Sequence, residues 1–137
     1  MSPVASRRIA LTTLVVRDYD EAIAWYREKL GFEVAEDTPL GQGKRWVVMG
    51  PQGADGACLL LARADGSVQE AVVGGQTGGR VFLFLHTDDF RRDYHAMQAR
   101  GVAFREEPRQ ENYGTVAVFA DLYGNLWDLI EPRNTNV

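Results

Sequence analysis

The chain of 137 residues is poor in the residue types that announce chemistry, with one cysteine, Cys58, and two histidines, His86 and His95. A single thiol excludes an internal disulfide and fits a reducing compartment, so the expected location is the cytoplasm. No apolar run approaches the roughly 18 residues of a membrane-spanning helix, and Met1-Ser2-Pro3 opens no signal-peptide pattern. Basic residues are the minority, 15 against 19 acidic for a net charge of −4, whereas nucleic-acid binders usually present a basic face. Neither nucleic acid nor a membrane is therefore an expected partner. No Ser/His/Asp or Cys/His grouping stands out, and the glycines of 73–79 are not followed by the Gly-Lys-Ser/Thr of a phosphate-binding loop. What is present is 45% hydrophobic residues in a chain long enough to bury a core without a disulfide or structural metal.

The β-branched and apolar stretch 8–16 reads as a strand. Asp18 follows as a helix N-cap with Glu21 three residues on, a variant of the capping box. Ala22, Tyr26 and Leu30 repeat at helical spacing, and Gly31 suits a left-handed C-terminal residue, so 19–30 is predicted helical. Strands are predicted over 32–36, 44–49 and 57–62, separated by glycine-marked turns. The segment 65–79 has five glycines, no aromatic residue and little periodicity, and reads as a linker or mobile loop. Beyond it the order returns: a strand over 81–87, a helix over 90–100 stopped by Gly101, then strands over 102–105, 115–120 and 125–131.

That return is a repeat. Val16-Arg17-Asp18-Tyr19 matches Thr87-Asp88-Asp89-Phe90, Leu30-Gly31-Phe32 matches Arg100-Gly101-Val102, and Asp55–Ala62 matches Tyr123–Ile130. Three anchors in one order, flanking a glycine-rich joint, indicate two copies of a βαβββ unit, over 8–64 and 80–132.

Leu11–Asp18, Ala24-Trp25-Tyr26 and Lys29-Leu30-Gly31-Phe32, with the closing Asp121-Leu122-Tyr123-Gly124-Asn125-Leu126-Trp127-Asp128-Leu129-Ile130, resemble the vicinal-oxygen-chelate superfamily. That group includes glyoxalase I, extradiol dioxygenases and the fosfomycin- and bleomycin-resistance proteins. The resemblance spans roughly residues 8–132. It implies an α+β fold in which two βαβββ modules form curled mixed sheets around a cup, and it implies a homodimer.

Metal-dependent members place one ligand on the first and last strand of each module. Carried over by position, that quartet is Leu11, Leu60, Phe82 and Asp128. Hydrocarbon and phenyl groups donate no electron pair, and one carboxylate alone holds no divalent ion usefully, so the expectation is no metal and no cofactor. Two-residue alternation then turns Thr13 inward with Leu11, Phe84 and His86 inward with Phe82, and Leu126 inward with Asp128, while Trp127 points the other way. Trp46 and Tyr113 could stack on an aromatic ligand or simply pack, and Arg45 alternates away from Trp46. His95 falls on the second helix and reads as a surface residue.

The leading expectation is a metal-free cup that binds a small, largely apolar organic molecule, sequestering it as bleomycin-resistance proteins do. Two alternatives remain open. One is a metal-dependent lyase or dioxygenase with displaced ligands, from His86, Asp128 and Asp88 or Glu131. The other is a metal-free enzyme using Asp128, a carboxylate set among apolar groups, as acid or base.

Overall fold

The structure is a computed structural model that describes residues 5–53 and 55–133. The first module contains β1 (Leu11–Val16), α1 (Tyr19–Leu30), β2 (Glu33–Gly41), β3 (Lys44–Gly50) and β4 (Cys58–Arg63). Its four strands lie in the order β1-β4-β3-β2, with β1 parallel to β4 and the remaining pairs antiparallel. The predicted start and stop of α1 act as expected. The Asp18 carboxylate accepts from the Glu21 amide at 2.8 Å, and Gly31 takes φ 72° while its amide donates back to Arg27. Register shifts at Val34/Glu36 and Pro39/Gly41 bend β2 along its partner.

The second module repeats the plan with β5 (Val81–His86), α3 (Phe90–Ala99), β8 (Gly114–Ala120) and β9 (Leu126–Pro132), β5 running parallel to β9. Between α3 and β8 the repeat is imperfect. The anticipated strand over 102–105 shrinks to β6 (Ala103–Phe104), and an additional short strand, β7 (Arg109–Glu111), pairs with β8. The stretch Arg105-Glu106-Glu107-Pro108-Arg109-Gln110-Glu111 has no apolar alternation, so nothing in it signals a strand.

The joint is less loose than its composition suggests. Six of its residues form α2 (Ser67–Val72), which buries no side chain and so leaves no apolar stripe to read. Behind it the Gln76 amide clasps the outer edge of β1: its oxygen accepts from the Val15 amide at 2.9 Å and its nitrogen donates to the Thr13 carbonyl at 2.8 Å. Gly74 lies so close to the last turn that a Cβ there would stand 2.1 Å from the Tyr123 carbonyl oxygen.

One hydrophobic core serves both modules. It joins Leu14, Val16, Val47, Met49, Leu59 and Leu61 of the first sheet to Ala117, Phe119, Trp127 and Leu129 of the second through α1 and α3. Tyr26, with none of its surface exposed, packs on Phe32 and Trp127 and donates its hydroxyl to Asp121 at 2.6 Å. The same carboxylate accepts from the Asn125 side chain and from the amides of Tyr123 and Asn125, each at 2.9 Å. The closing phrase 121–125 is thus a turn wound around a buried carboxylate and stitched to the other module. Among the described residues no helix is long and apolar enough to cross a membrane.

Candidate functional site: the helix-free sheet faces

Each sheet has one face against the helices and one without them. Since paired residues on neighbouring strands share a face, the registers fix what the helix-free faces display. On the first sheet, Leu11, Thr13 and Val15 of β1 stand with Cys58, Leu60 and Ala62 of β4, and β3 adds Trp46 and Val48. Trp46 is 37% exposed, and its indole donates to Glu36 of β2 at 2.8 Å. Arg45 faces the opposite way, over the Tyr19 ring and paired with Asp20 and Asp37.

On the second sheet, Phe84 pairs with Asp128 and His86 with Ile130, while Val118 flanks Asp128 from β8. Leu126 lies two residues before Asp128, half-buried on the same face. Phe84 is 61% exposed, a large apolar ring left open to solvent. Phe82 does not share this face. A register shift between Val81 and Leu83 breaks the alternation at that point, and the Phe82 ring meets Trp127 edge-on at 6.1 Å on the core side. His86 is exposed beside Phe84 rather than behind Phe82, Tyr113 is exposed in the turn between β7 and β8, and His95 is exposed on α3.

Asp128 is the polar centre of the second face. Only 7% of its surface is exposed, and its Oδ1 is buried without a hydrogen-bond partner. Burial, foremost, holds its carboxyl above the usual range; Arg109 pulls it down and Glu106 pushes it up. The pairing of Arg109 with Val116 puts the guanidinium on this face. It is already committed, to Glu106 at 2.5 Å and Glu111 at 2.7 Å. Sequence reasoning overlooked these three residues because β7 itself was not legible.

Leu11 and Leu60 share the first face two residues out of register, Asp128 lies on the second, and Phe82 points elsewhere. Two leucines and a core-facing phenylalanine offer a metal nothing, and among the described residues no group of three or more His, Cys, Asp or Glu side chains is placed to hold an ion. The donor set therefore does not fit the metal that the fold's architecture allows. Two open hollows adjoin these faces. One, of about 600 Å³, runs between the modules past Thr12, Leu59, Leu83, Phe84, His86 and Trp127. The other, of about 540 Å³, lies over Leu11, Glu36, Val48 and Cys58 on the first sheet. Cys58 and His86 both border the first hollow.

A family model for the Glyoxalase/Bleomycin resistance protein/Dioxygenase superfamily matches residues 8–129. The chain belongs to this superfamily. An uncharacterised protein from Shewanella frigidimarina is 59% identical over 86% of this chain and 88% of its own length. The crystal structure of UcmS2 is 31% identical with a TM-score of 0.80, covering 93% of this chain and 99% of that one. TnmS3, described as an antibiotic binding protein from Streptomyces sp. CB03234, is 31% identical with a TM-score of 0.78, covering 96% and 100%. The paired modules seen here are therefore the superfamily's fold.

Proposed function

We propose that this superfamily member binds a small, largely apolar organic molecule between helix-free sheet faces, in the cytoplasm and without a metal or other cofactor. The observation that carries the reading is the chemistry of those faces: leucine at two of the four expected ligand positions, with Trp46 exposed on the same face and Phe84 exposed on the face of the second sheet. Apolar walls with a few fixed polar groups suit an organic ligand, and aromatic side chains give it stacking surfaces. The likeness to TnmS3, described as antibiotic binding, supports the same reading. A homodimer completes it: a second copy laid against the open faces supplies the opposite wall and covers Phe84 and Trp46. Light scattering should then give twice the 15.3 kDa chain mass.

The test is a thermal-shift and tryptophan-fluorescence titration with naphthalene and anthraquinone derivatives. Saturable stabilisation that weakens in Trp46→Ala and Phe84→Ala supports the reading. A crystal structure of the dimer with the space between the faces filled solid by side chains would sink it. Stoichiometric nickel, zinc, iron or manganese in protein purified without chelators would refute the metal-free part.

A further inference from the structure

A single carboxamide occupies the outer edge of β1. The Gln76 oxygen accepts from the Val15 amide and the Gln76 nitrogen donates to the Thr13 carbonyl, two backbone groups turned away from β4. A primary amide suits such a pair because its oxygen and one of its N–H bonds lie side by side, acceptor next to donor.

The repeat sets the same pair on β5. Counting back from the matched Val16 and Thr87, Thr13 corresponds to Phe84 and Val15 to His86. The registers agree: Leu60 and Ala62 stand opposite the first two, and their repeat partners Asp128 and Ile130 stand opposite the second two. The Thr87 amide donates to the Ile130 carbonyl at 2.9 Å, so alternation turns the backbone of Leu85 toward β9 and that of Phe84 and His86 outward. β5 ends its sheet, and among the described residues no group bonds to the Phe84 carbonyl or the His86 amide.

Other borders of the sheets are guarded, β2 by Glu33, Glu36, Asp37 and Pro39, and β7 by its charges, whereas β5 is apolar up to His86. The 600 Å³ hollow meets four consecutive residues of β5, 83–86. A hollow over one face would meet alternate residues, so this one follows the outer edge. Leu59 and Trp127 give it apolar walls, and Phe84 and His86 are both exposed at its border.

We propose that the ligand carries a primary carboxamide that bridges the Phe84 carbonyl and the His86 amide, as Gln76 bridges Thr13 and Val15, its aromatic body lying in the hollow beside Phe84. The inference rests on the apolar-cup reading above and names the polar group that reading leaves unspecified.

The full-length protein is titrated with 2-naphthamide, N-methyl-2-naphthamide and methyl 2-naphthoate. The methylamide, being trans, points its donor and acceptor to opposite sides, and the ester keeps only the acceptor. 2-Naphthamide is expected to bind about tenfold tighter than either. His86→Pro removes the outward N–H at a position where an edge strand tolerates proline, and should erase that ratio. His86→Ala keeps the N–H and should retain the ratio, whatever it does to the three affinities together. Equal binding of the three probes, a ratio that survives in H86P, or one lost in H86A overturns the carboxamide assignment and leaves the apolar cup standing. Failure of all three to bind refutes the cup and this inference with it. Should H86P not fold, a crystal structure of the wild-type complex decides: a carboxamide bridging the Phe84 carbonyl and the His86 amide supports the assignment, and one bound elsewhere overturns it.

Discussion

Tyr26→Phe removes one oxygen from the core and tests whether the two modules are one folding unit. The lost hydroxyl donates at 2.6 Å to Asp121, across 95 residues of sequence and from one module to the other. Hydrogen bonds to charged acceptors contribute about 1.5–3 kcal/mol. Three donors from the 121–125 turn remain on the carboxylate, so it is not stranded, and the expected loss is about 2 kcal/mol. The ring stays, so no cavity opens and no second penalty enters. For a domain of this size that loss lowers the melting temperature by about 6 °C at fixed protein concentration. Burial, with Asp121 beside it, holds the Tyr26 phenol well above its usual value. A raised folded value means that the neutral phenol's contribution is whole below about pH 10 and is lost as pH climbs from there through the folded value. Urea unfolding followed by tryptophan fluorescence should therefore show a gap between wild type and Y26F that is constant from about pH 7 to 9 and narrows above about pH 10. The transition should stay single, with an unchanged slope. A gap under about 0.5 kcal/mol, or two separated transitions in the wild type, refutes the shared-core account.

Gly74→Ala drives a Cβ against the Tyr123 carbonyl at a φ of 83°, and should cost about 3 kcal/mol or more. Gly75→Ala meets nothing within 4 Å and should stay within about 0.5 kcal/mol of wild type; comparable melting points for the two variants would contradict the packing. Gln76→Ala gives up both bonds to β1, for about 1–2 kcal/mol, and should speed amide exchange at Val15 selectively. Unchanged protection there would show that the clasp contributes nothing. Since burial holds the Asp128 carboxyl above its usual range, the wild type loses stability as pH rises from about 4 through the folded value, and D128N does not. D128N should therefore gain on the wild type as pH rises above about 4 in urea titrations, and a gap independent of pH would refute the buried-charge reading.

The parts of the fold legible in sequence are those where a local rule and the tertiary structure agree. Asp18, Glu21 and Gly31 mark the ends of α1 by backbone chemistry that needs no partner. The face of Trp127 follows from simple alternation, and the residue is indeed buried opposite Asp128. Alternation fails at Phe82 because a register shift is set by how β5 meets the distant β9, and leaves no mark on the residues themselves. The orientation of Trp46 was open in sequence for a similar reason, and only the pairing of β3 with β4 assigns its face. β7 was hidden because a three-residue strand of Arg109, Gln110 and Glu111 is held by pairing with β8, not by apolar burial. With it went Arg109, and hence the reason Asp128 stays unpaired. The phrase 121–130 was readable as family likeness, but its most distinctive residues, Asp121 and Asn125, are spent on a turn. Architecture is thus what much of the shared phrases encodes, while Trp46, Phe84 and Arg109 stand between them.

The joint between the modules has a mechanical meaning that its glycines conceal. Gln76 holds it to the first module, and the close approach at Gly74 holds it to the second, with a single residue between the two anchors. Slack is confined to the exposed turn and helix upstream, where added residues would be absorbed without effect; one residue inserted between the anchors would throw them out of step. Exchange of a module between chains requires a hinge that can straighten, and this one is pinned to both halves of its own chain. In the homodimer proposed above, a second copy would consequently meet a finished pair of modules and dock on preformed surfaces instead of trading strands.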